Sequence, residues 1–381
     1  MLEFKNRVLA ISIFLAAHII FVLALQSTMK PASTESLSEA QELIYANKID
    51  EALVCINCYI ARNPKDGLAY VVRGDAHCSA GDYGSGLQDY AKAISVDPAL
   101  YVPYANRAHA YVEMRQYEKA LADINTALAM DPHNAISFDT RAWIYSQQED
   151  YQKEIEDYDR AIALDPGNPD YYSHKAKAYR KLSKFGEALK CCNEVIRLEP
   201  NSPDSYNLRG RTHYLNADYQ KAVDDYSVAI KTAPDLCDSY ELRAEAYERL
   251  GDNIHQIEDL SAVIKNHPNA SDLYEKRANA YAHIGRSANV IADCTSAANC
   301  GHECDQTYSL ASHAYESLHM IDKAIEFQCK VLNYDPTNIK GLLNRARLYE
   351  LAGKSALATA DRQRADKLAK QRESATHSAA G

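Results

Sequence analysis

Three sets of side chains in this chain have the types and spacing to do chemistry. Cys55 and Cys58 form a C-x-x-C pair, the arrangement for thiol–disulfide exchange, which needs a helix N-terminus to lower a thiol pKa. The register described below puts the pair in mid-helix, where packing is the simpler role. Cys78 on the next helix could pair with one of them if the chain is exported. Cys294, Cys300, His302 and Cys304 place four soft ligands within eleven residues, and such a set can hold Zn²⁺ tetrahedrally. Their spacing matches no standard site and Cys294 falls in an expected helix, so no metal is assigned. A disulfide or free thiols are the alternatives. The third set is a row of cations, Arg73, Arg107, Arg141, Lys175, Arg209, Arg243, Arg277 and Arg345.

A row of arginines invites a nucleic-acid reading, but two observations oppose it. The net charge is -10, whereas phosphate neutralisation needs a cationic surface. Sixteen residues after each Arg stands an Asp: Asp89, Asp123, Asp157, Asp225, Asp259, Asp293 and Asp361. Two places break the series. Cys191 replaces the Asp where the cation is Lys175, and Phe327 replaces it where Ala311 stands in the cation row. Arg thus occurs only where Asp occurs, which predicts a structural ion pair between two helices. No nucleophile elbow, phosphate loop, HExxH or dinucleotide fingerprint is present, so neither enzyme nor cofactor is expected.

The elements that must position these residues follow a ruler of 34 residues. Proline recurs at 64, 98, 132, 166, 200, 234, 268 and 336, the missing step falling on His302. Proline just past a helix end stops the helix, having no N–H and restricting its predecessor. An aromatic ring recurs at Tyr70, Tyr104, Phe138, Tyr172, Tyr206, Tyr240, Tyr274 and Tyr308, and a small residue four places on, from Gly74 and Ala108 to Ala346. Helical spacings of three, four and seven put these on one face, and a small residue between rings lets a neighbouring helix approach closely. The chain has 27 Tyr against 6 Phe and 1 Trp, as a repeated packing role requires.

An aromatic, a small residue, a Tyr, an Ala and a closing Pro in this register resemble the tetratricopeptide repeat family. The resemblance covers about residues 33–372 and implies an all-α, right-handed α–α superhelix of about ten helix–turn–helix units. Residues 33–66 read as a degenerate first repeat, 67–338 as eight repeats, 339–372 as a C-terminal capping repeat and 373–381 as a disordered tail. The resemblance also implies a non-enzymatic scaffold or adaptor whose first helices line a concave groove for a partner peptide or helix. The alternatives are a homo-oligomeric assembly module and a regulatory subunit of an enzyme complex.

In that family the groove is lined from the second, fifth, sixth, ninth and twelfth places of each unit. Here those places hold Val71, Asp75, Val102, Asn106, His109, Asp139 and Trp143, then His174, Lys177, Arg180, Asn207, Arg211 and Tyr214, then Glu241, Glu245, Glu248, Glu275 and Asn279. A basic stretch followed by an acidic one would orient a charged partner; solvated faces that pair with one another are the simpler reading. The family's two-carboxylate clamp for chaperone tails needs Lys, Asn, Asn, Lys and Arg on three successive units. No three units supply that set, so the clamp is absent.

The N-terminus departs from the pattern. Val8 to Leu25 is apolar except for Ser12 and His18, and Lys5 and Arg7 precede it. Eighteen helical residues span about 27 Å, close to a bilayer core. Residues 1–32 are therefore expected to be a signal-anchor or signal segment, giving a membrane-anchored or exported protein with its repeats on the non-cytoplasmic side.

Overall fold

The computed structural model describes residues 34–301 and 304–379. It is all-α: twenty helices and no strand among the described residues. Two compact units divide the chain, one ending at Pro200 and one starting at Asn201.

The first unit holds five helix pairs: α1 (Thr34–Tyr45) with α2 (Ile49–Arg62), α3 (Gly67–Ser79) with α4 (Tyr83–Val96), α5 (Val102–Glu113) with α6 (Tyr117–Met130), α7 (Ala135–Gln147) with α8 (Tyr151–Leu164), and α9 (Pro169–Lys181) with α10 (Phe185–Leu198). The second unit holds another five: α11 (Pro203–Leu215) with α12 (Tyr219–Thr232), α13 (Cys237–Leu250) with α14 (Asn253–Asn266), α15 (Ser271–His283) with α16 (Ser287–Asn299), α17 (Asp305–Ser317) with α18 (Ile321–Tyr334), and α19 (Ile339–Leu351) with α20 (Ser355–Ala379). Within each unit the two helices of a pair pack on each other, and the second helix of a pair packs on the first helix of the pair that follows it. This is a tetratricopeptide-type solenoid.

The turns repeat as faithfully as the helices. The turn inside each pair carries one residue in the left-handed region, Gly in places such as Gly81 (φ 82°) and Gly251 (φ 76°) but Glu149 (φ 60°) and Ala217 (φ 61°) in others. A Cβ makes that conformation unfavourable, so the non-glycine turns are held by the helices on either side. In the turn between pairs the Asp before the Pro accepts a backbone N–H two residues on, Ala99 to Asp97 at 3.0 Å and Thr337 to Asp335 at 2.8 Å. These Asx turns explain the recurrent Asp-Pro. The Tyr six residues after the Pro donates its hydroxyl to the Pro carbonyl, as in Tyr70 to Pro64 (3.1 Å) and Tyr274 to Pro268 (3.1 Å). Tyr outnumbers Phe partly because this phenol ties the turn to the following helix.

The core is a strip of alanines and rings along the stack. Leu37, Ile56, Tyr59, Tyr70, Val71, Tyr90 and Val102 form one buried cluster spanning three pairs. Tyr90, Tyr158 and Tyr226 are almost wholly buried, each near a small residue of the partner helix.

One expectation is corrected. No helix among the described residues is long and apolar enough to cross a membrane. All but the last have 12 to 14 residues, and at about 1.5 Å per residue they reach roughly 21 Å, short of a bilayer core. The last, α20, has 25 residues but carries charges along its length, among them Asp361, Arg362, Arg364, Asp366 and Lys367. Val8–Leu25, on which the anchor and the membrane-anchored or exported location rested, lies outside the described residues, so neither is carried forward. The backbone of residues 373–379 is helical as the end of α20, where a disordered tail was expected.

Candidate functional site: the face of the first helices

Arg and Asp sixteen residues apart meet because the two helices of a pair run antiparallel with their midpoints in register. Arg73 Nε and Nη2 donate to the two carboxylate oxygens of Asp89 at 2.9 and 2.6 Å. Arg107 meets Asp123 at 2.7 and 2.8 Å, and Arg141 meets Asp157 at 2.7 and 2.7 Å. In the second unit Arg209–Asp225, Arg243–Asp259, Arg277–Asp293 and Arg345–Asp361 have closest approaches of 2.6 to 2.7 Å. The aspartates are buried and the arginine side chains are one-sixth to about one-quarter exposed. Each ring three residues before the Arg lies under the guanidinium, 5.6 Å away for Tyr104 and 5.5 Å for Phe138.

The sequence reading missed a second bond of the same arginines. The remaining guanidinium nitrogen reaches back sixteen residues into the preceding pair. Arg73 Nη1 donates to Asn57 Oδ1 (2.8 Å), Arg141 to Asn125 (2.6 Å), Arg243 to Ser227 (2.9 Å), Arg277 to Ser261 (2.9 Å) and Arg345 to Cys329 Sγ (3.3 Å). Lys175, whose forward partner is Cys191, pairs backward with Asp159. The signal was legible in the same ruler, because Asn57, Asn125, Asp159, Ser227, Ser261 and Cys329 share one register. The cation row is thereby occupied in joining helices within pairs and pairs to one another.

The groove residues divide into three groups. Val71 and Val102 are buried in the core and offer a partner no surface. A second group is taken up by contacts with neighbouring helices. Asp75 accepts from Asn106 Nδ2 (2.8 Å) and from the Tyr90 hydroxyl (2.7 Å). Burial pushes its carboxyl up to about 6 against the pull of those two donors, and His109 is pulled down to about 4 by burial. Asp139 is buried and Trp143 packs beside the Ala108, Ile124 and Ile144 cluster. His174 stacks on Tyr158 with ring centroids 5.7 Å apart. Asn207 exchanges hydrogen bonds with the Ser239 hydroxyl (2.9 Å), and the Tyr214 ring meets Tyr219 edge-on at 5.4 Å. Glu245 binds Lys276 at 3.1 Å, and Lys276 also offsets the burial that raises the Glu241 carboxyl.

The third group reaches solvent: Lys177 and Arg211 are exposed, as is Glu248, while Arg180 and Glu275 are half-buried. Asn279 donates to the Glu275 carbonyl at 3.0 Å and lines a cavity of about 340 Å³ in the second unit. Around Asn279 stand Ser309 and His313 of α17 and Lys340 and Asn344 of α19, with Gln328 of α18 at the floor. Sequence reasoning named only Asn279 of this set, although the others on the first helices occupy the same places of their repeats as named groove residues. A 340 Å³ cavity arises only where neighbouring helices leave space between them, and no sequence register reports that.

The thiols do not converge. No disulfide joins any of the ten cysteines. Burial pushes Cys78 and Cys294 up to about 12. Cys304 caps α17 by accepting the Thr307 N–H, and Cys300 faces the Pro268 carbonyl. His302 lies outside the described residues, and no metal-ligating cluster occurs among those described.

A stack of helix pairs with a polar face on its first helices defines a protein-interaction scaffold. Models of the tetratricopeptide repeat match residues 37–99, 106–169, 169–202 and 305–338, together about half of the chain. The chain belongs to the tetratricopeptide repeat family. Among solved structures it is similar to a tetratricopeptide repeat protein from Parabacteroides merdae ATCC 43184, with 18% identity, 68% of this chain and 98% of that one covered, and a TM-score of 0.47. It is also similar to Pseudomonas aeruginosa PilF, with 18% identity, 57% and 99% coverage and a TM-score of 0.47. A third is YrrB, described as a TPR protein with an unusual peptide-binding site, with 20% identity, 51% and 97% coverage and a TM-score of 0.43. No curated protein matches the chain.

Proposed function

We propose that the protein is a non-enzymatic scaffold that holds a partner segment, a peptide or a helix, along the face of its first helices. The observation that supports this most is the cavity of about 340 Å³, lined from the first helices α15, α17 and α19. Its lining mixes amides, a hydroxyl, an imidazole, an ammonium and the carboxylate of Asp305, which suits a main chain with both donors and acceptors. The cation row gives no rival surface, because its guanidinium groups are spent on Asp and on the preceding pair. Within the second unit, Glu241 and Glu248 of α13 add negative charge to the same face, while Glu245 is neutralised by Lys276. That pairing weakens the reading in which a broad acidic stretch alone orients the partner, and puts more weight on shape and neutral hydrogen bonds.

The reading is tested with a photo-crosslinking amino acid at Ser309, on the cavity, or at exposed Glu326, on the second helix α18. Each full-length protein is offered the same random peptide library. Peptides should be captured at position 309 and not at 326. Capture at 326 alone, or at neither, removes the proposal.

A further inference from the structure

The two carboxylate oxygens of Asp75, on α3, are treated unequally. Oδ1 accepts both the Tyr90 hydroxyl of α4 at 2.7 Å and Asn106 Nδ2 of α5 at 2.8 Å. Oδ2 has no donor among the described residues, yet it is not one of the enclosed orphan atoms, as Asn106 Oδ1 is. Asp75 is part-buried, and Ser79, one turn along α3, is exposed. Residues four apart share a helix face, so Oδ2 keeps its contact with solvent on the face of the first helices.

No countercharge stands beside this carboxylate. The ionisable groups around it are Tyr45 of α1, Cys78 of α3 and Tyr90 of α4, none of them a cation. The cations of α3 and α5 are spent, Arg73 on Asp89 and Asn57 and Arg107 on Asp123. Tyr90 and Asn106 do not offset the burial, which leaves the Asp75 carboxyl up at about 6. At neutral pH the ionised group therefore costs the fold stability, and an Asn would keep an oxygen there without the charge. A charge kept against the interest of the fold calls for a use outside it.

A segment lying along this face strips the remaining water from Oδ2, so the group it places there matters. An aliphatic group or a second acid leaves the carboxylate worse solvated than before. A hydroxyl or a backbone N–H exchanges one hydrogen bond for another with little net gain, and leaves the charge uncompensated, as Tyr90 and Asn106 do. An ammonium or guanidinium brings a donor and the countercharge together, which makes the stronger bond.

We propose that Asp75 Oδ2 anchors a Lys or Arg side chain of the bound partner segment on the face of α3 and α5. The proposal rests on the reading of the first-helix face as partner-binding, and adds the chemistry of one residue that the first unit selects.

The test places a photo-crosslinking amino acid at Ser79 of the full-length protein and selects peptides from a random display library, on the natural chain and on Asp75→Asn. Peptides captured at position 79 should share Lys or Arg at one position. Replacing that residue in the peptide by Gln should weaken binding to the natural protein about tenfold near pH 7.5, the worth of one charge-assisted hydrogen bond. Asp75→Asn should weaken the unaltered peptide by a similar factor. Affinity for the natural protein should also fall about tenfold between pH 7.5 and pH 5, as a carboxyl with its midpoint at about 6 takes up its proton. Tyr45 and Cys78, both pushed up to about 12, and His109 of α5, pulled down to about 4, do not titrate in that interval. Glu113, farther along α5, is also raised by burial, and the comparison with Asp75→Asn, in which most of the fall should vanish, separates its contribution. Three results would each overturn this inference and leave the binding face standing: capture at 79 without a basic preference, a preference or pH dependence unchanged on Asp75→Asn, or capture at Ser309 and not at 79. Capture at neither position would remove both. The peptide substitutions use unaltered Asp75, so the outcome does not hang on how Asp75→Asn folds.

Discussion

Arg107 and Asp123 stand on the two antiparallel helices of one pair, with Nε 2.7 Å from Oδ2 and Nη2 2.8 Å from Oδ1. The Asp123 side chain is 10% exposed and the Arg107 side chain 20%. A pair this enclosed differs from an exposed surface bridge, because removing one member leaves a charge in a place with little water. Asp123→Asn or Arg107→Ala is therefore expected to cost about 1–3 kcal/mol of unfolding free energy. The double variant should cost clearly less than the sum of the two. Urea denaturation of the four proteins of the cycle measures this, and strict additivity would show that the pair is not coupled.

The fifth pair allows the opposite experiment. Lys175 faces Cys191 where other pairs have Arg facing Asp, and it leans back to Asp159. Installing Lys175→Arg with Cys191→Asp rebuilds the bidentate arrangement of the neighbouring repeats. The double variant should match or exceed the natural protein in stability. Cys191→Asp alone should be destabilised by about 1–3 kcal/mol, since Lys175 cannot serve both acids bidentately. Thermal unfolding of both variants decides it, and a double variant no better than Cys191→Asp alone would contradict the account.

Packing supplies a third prediction. A Cβ on Gly210 would lie 2.7 Å from Cε1 and 2.9 Å from Cδ1 of the buried Tyr226 ring. Gly210→Ala should cost about 1–3 kcal/mol through overpacking. Tyr226→Ile on top of it recreates the Ala108 and Ile124 combination found in another repeat, and should recover part of the loss. If the second change deepens the loss instead, the contact is not the cause.

Asp75 and His109 make opposite contributions to the dependence of stability on pH. Burial raises the Asp75 carboxyl from 3.8 to about 6 in the folded state. The stability it contributes is complete below about pH 4 and is lost as pH rises through 6. Burial lowers His109 from 6.5 to about 4, so its contribution is complete above about pH 6.5 and is lost as pH falls through 4. Between these limits the two slopes largely cancel. Asp75→Asn should remove the loss on raising pH from 4 to 7 and gain up to about 3 kcal/mol relative to the natural protein across that interval. Denaturation curves at several pH values measure it; a stability difference that does not change with pH would show that Asp75 keeps an ordinary pKa.

The sequence by itself determined the helix pairs, their turns and the contacts that repeat. Proline at a 34-residue step, rings and alanines at helical spacing, and Arg with Asp sixteen apart are local or periodic facts. A solenoid converts a fixed step in sequence into a fixed displacement in space, so residues in the same register meet the same neighbours. The backward bond from Arg141 to Asn125 follows the same rule and was open to the same reading.

Tertiary structure alone decided what the groove places do. Val71, Asp75 and Glu248 were assigned alike to that face by register, yet one is in the core, one is bonded to the neighbouring pair and one is in water. Whether such a residue is free depends on the side chain opposite it on the next helix, as Glu245 depends on Lys276. The Gln328 pocket depends further on how closely α17 and α19 approach around it. That spacing is a sum of packing contacts over several helices, and it is not periodic, so no ruler laid along the chain could disclose it.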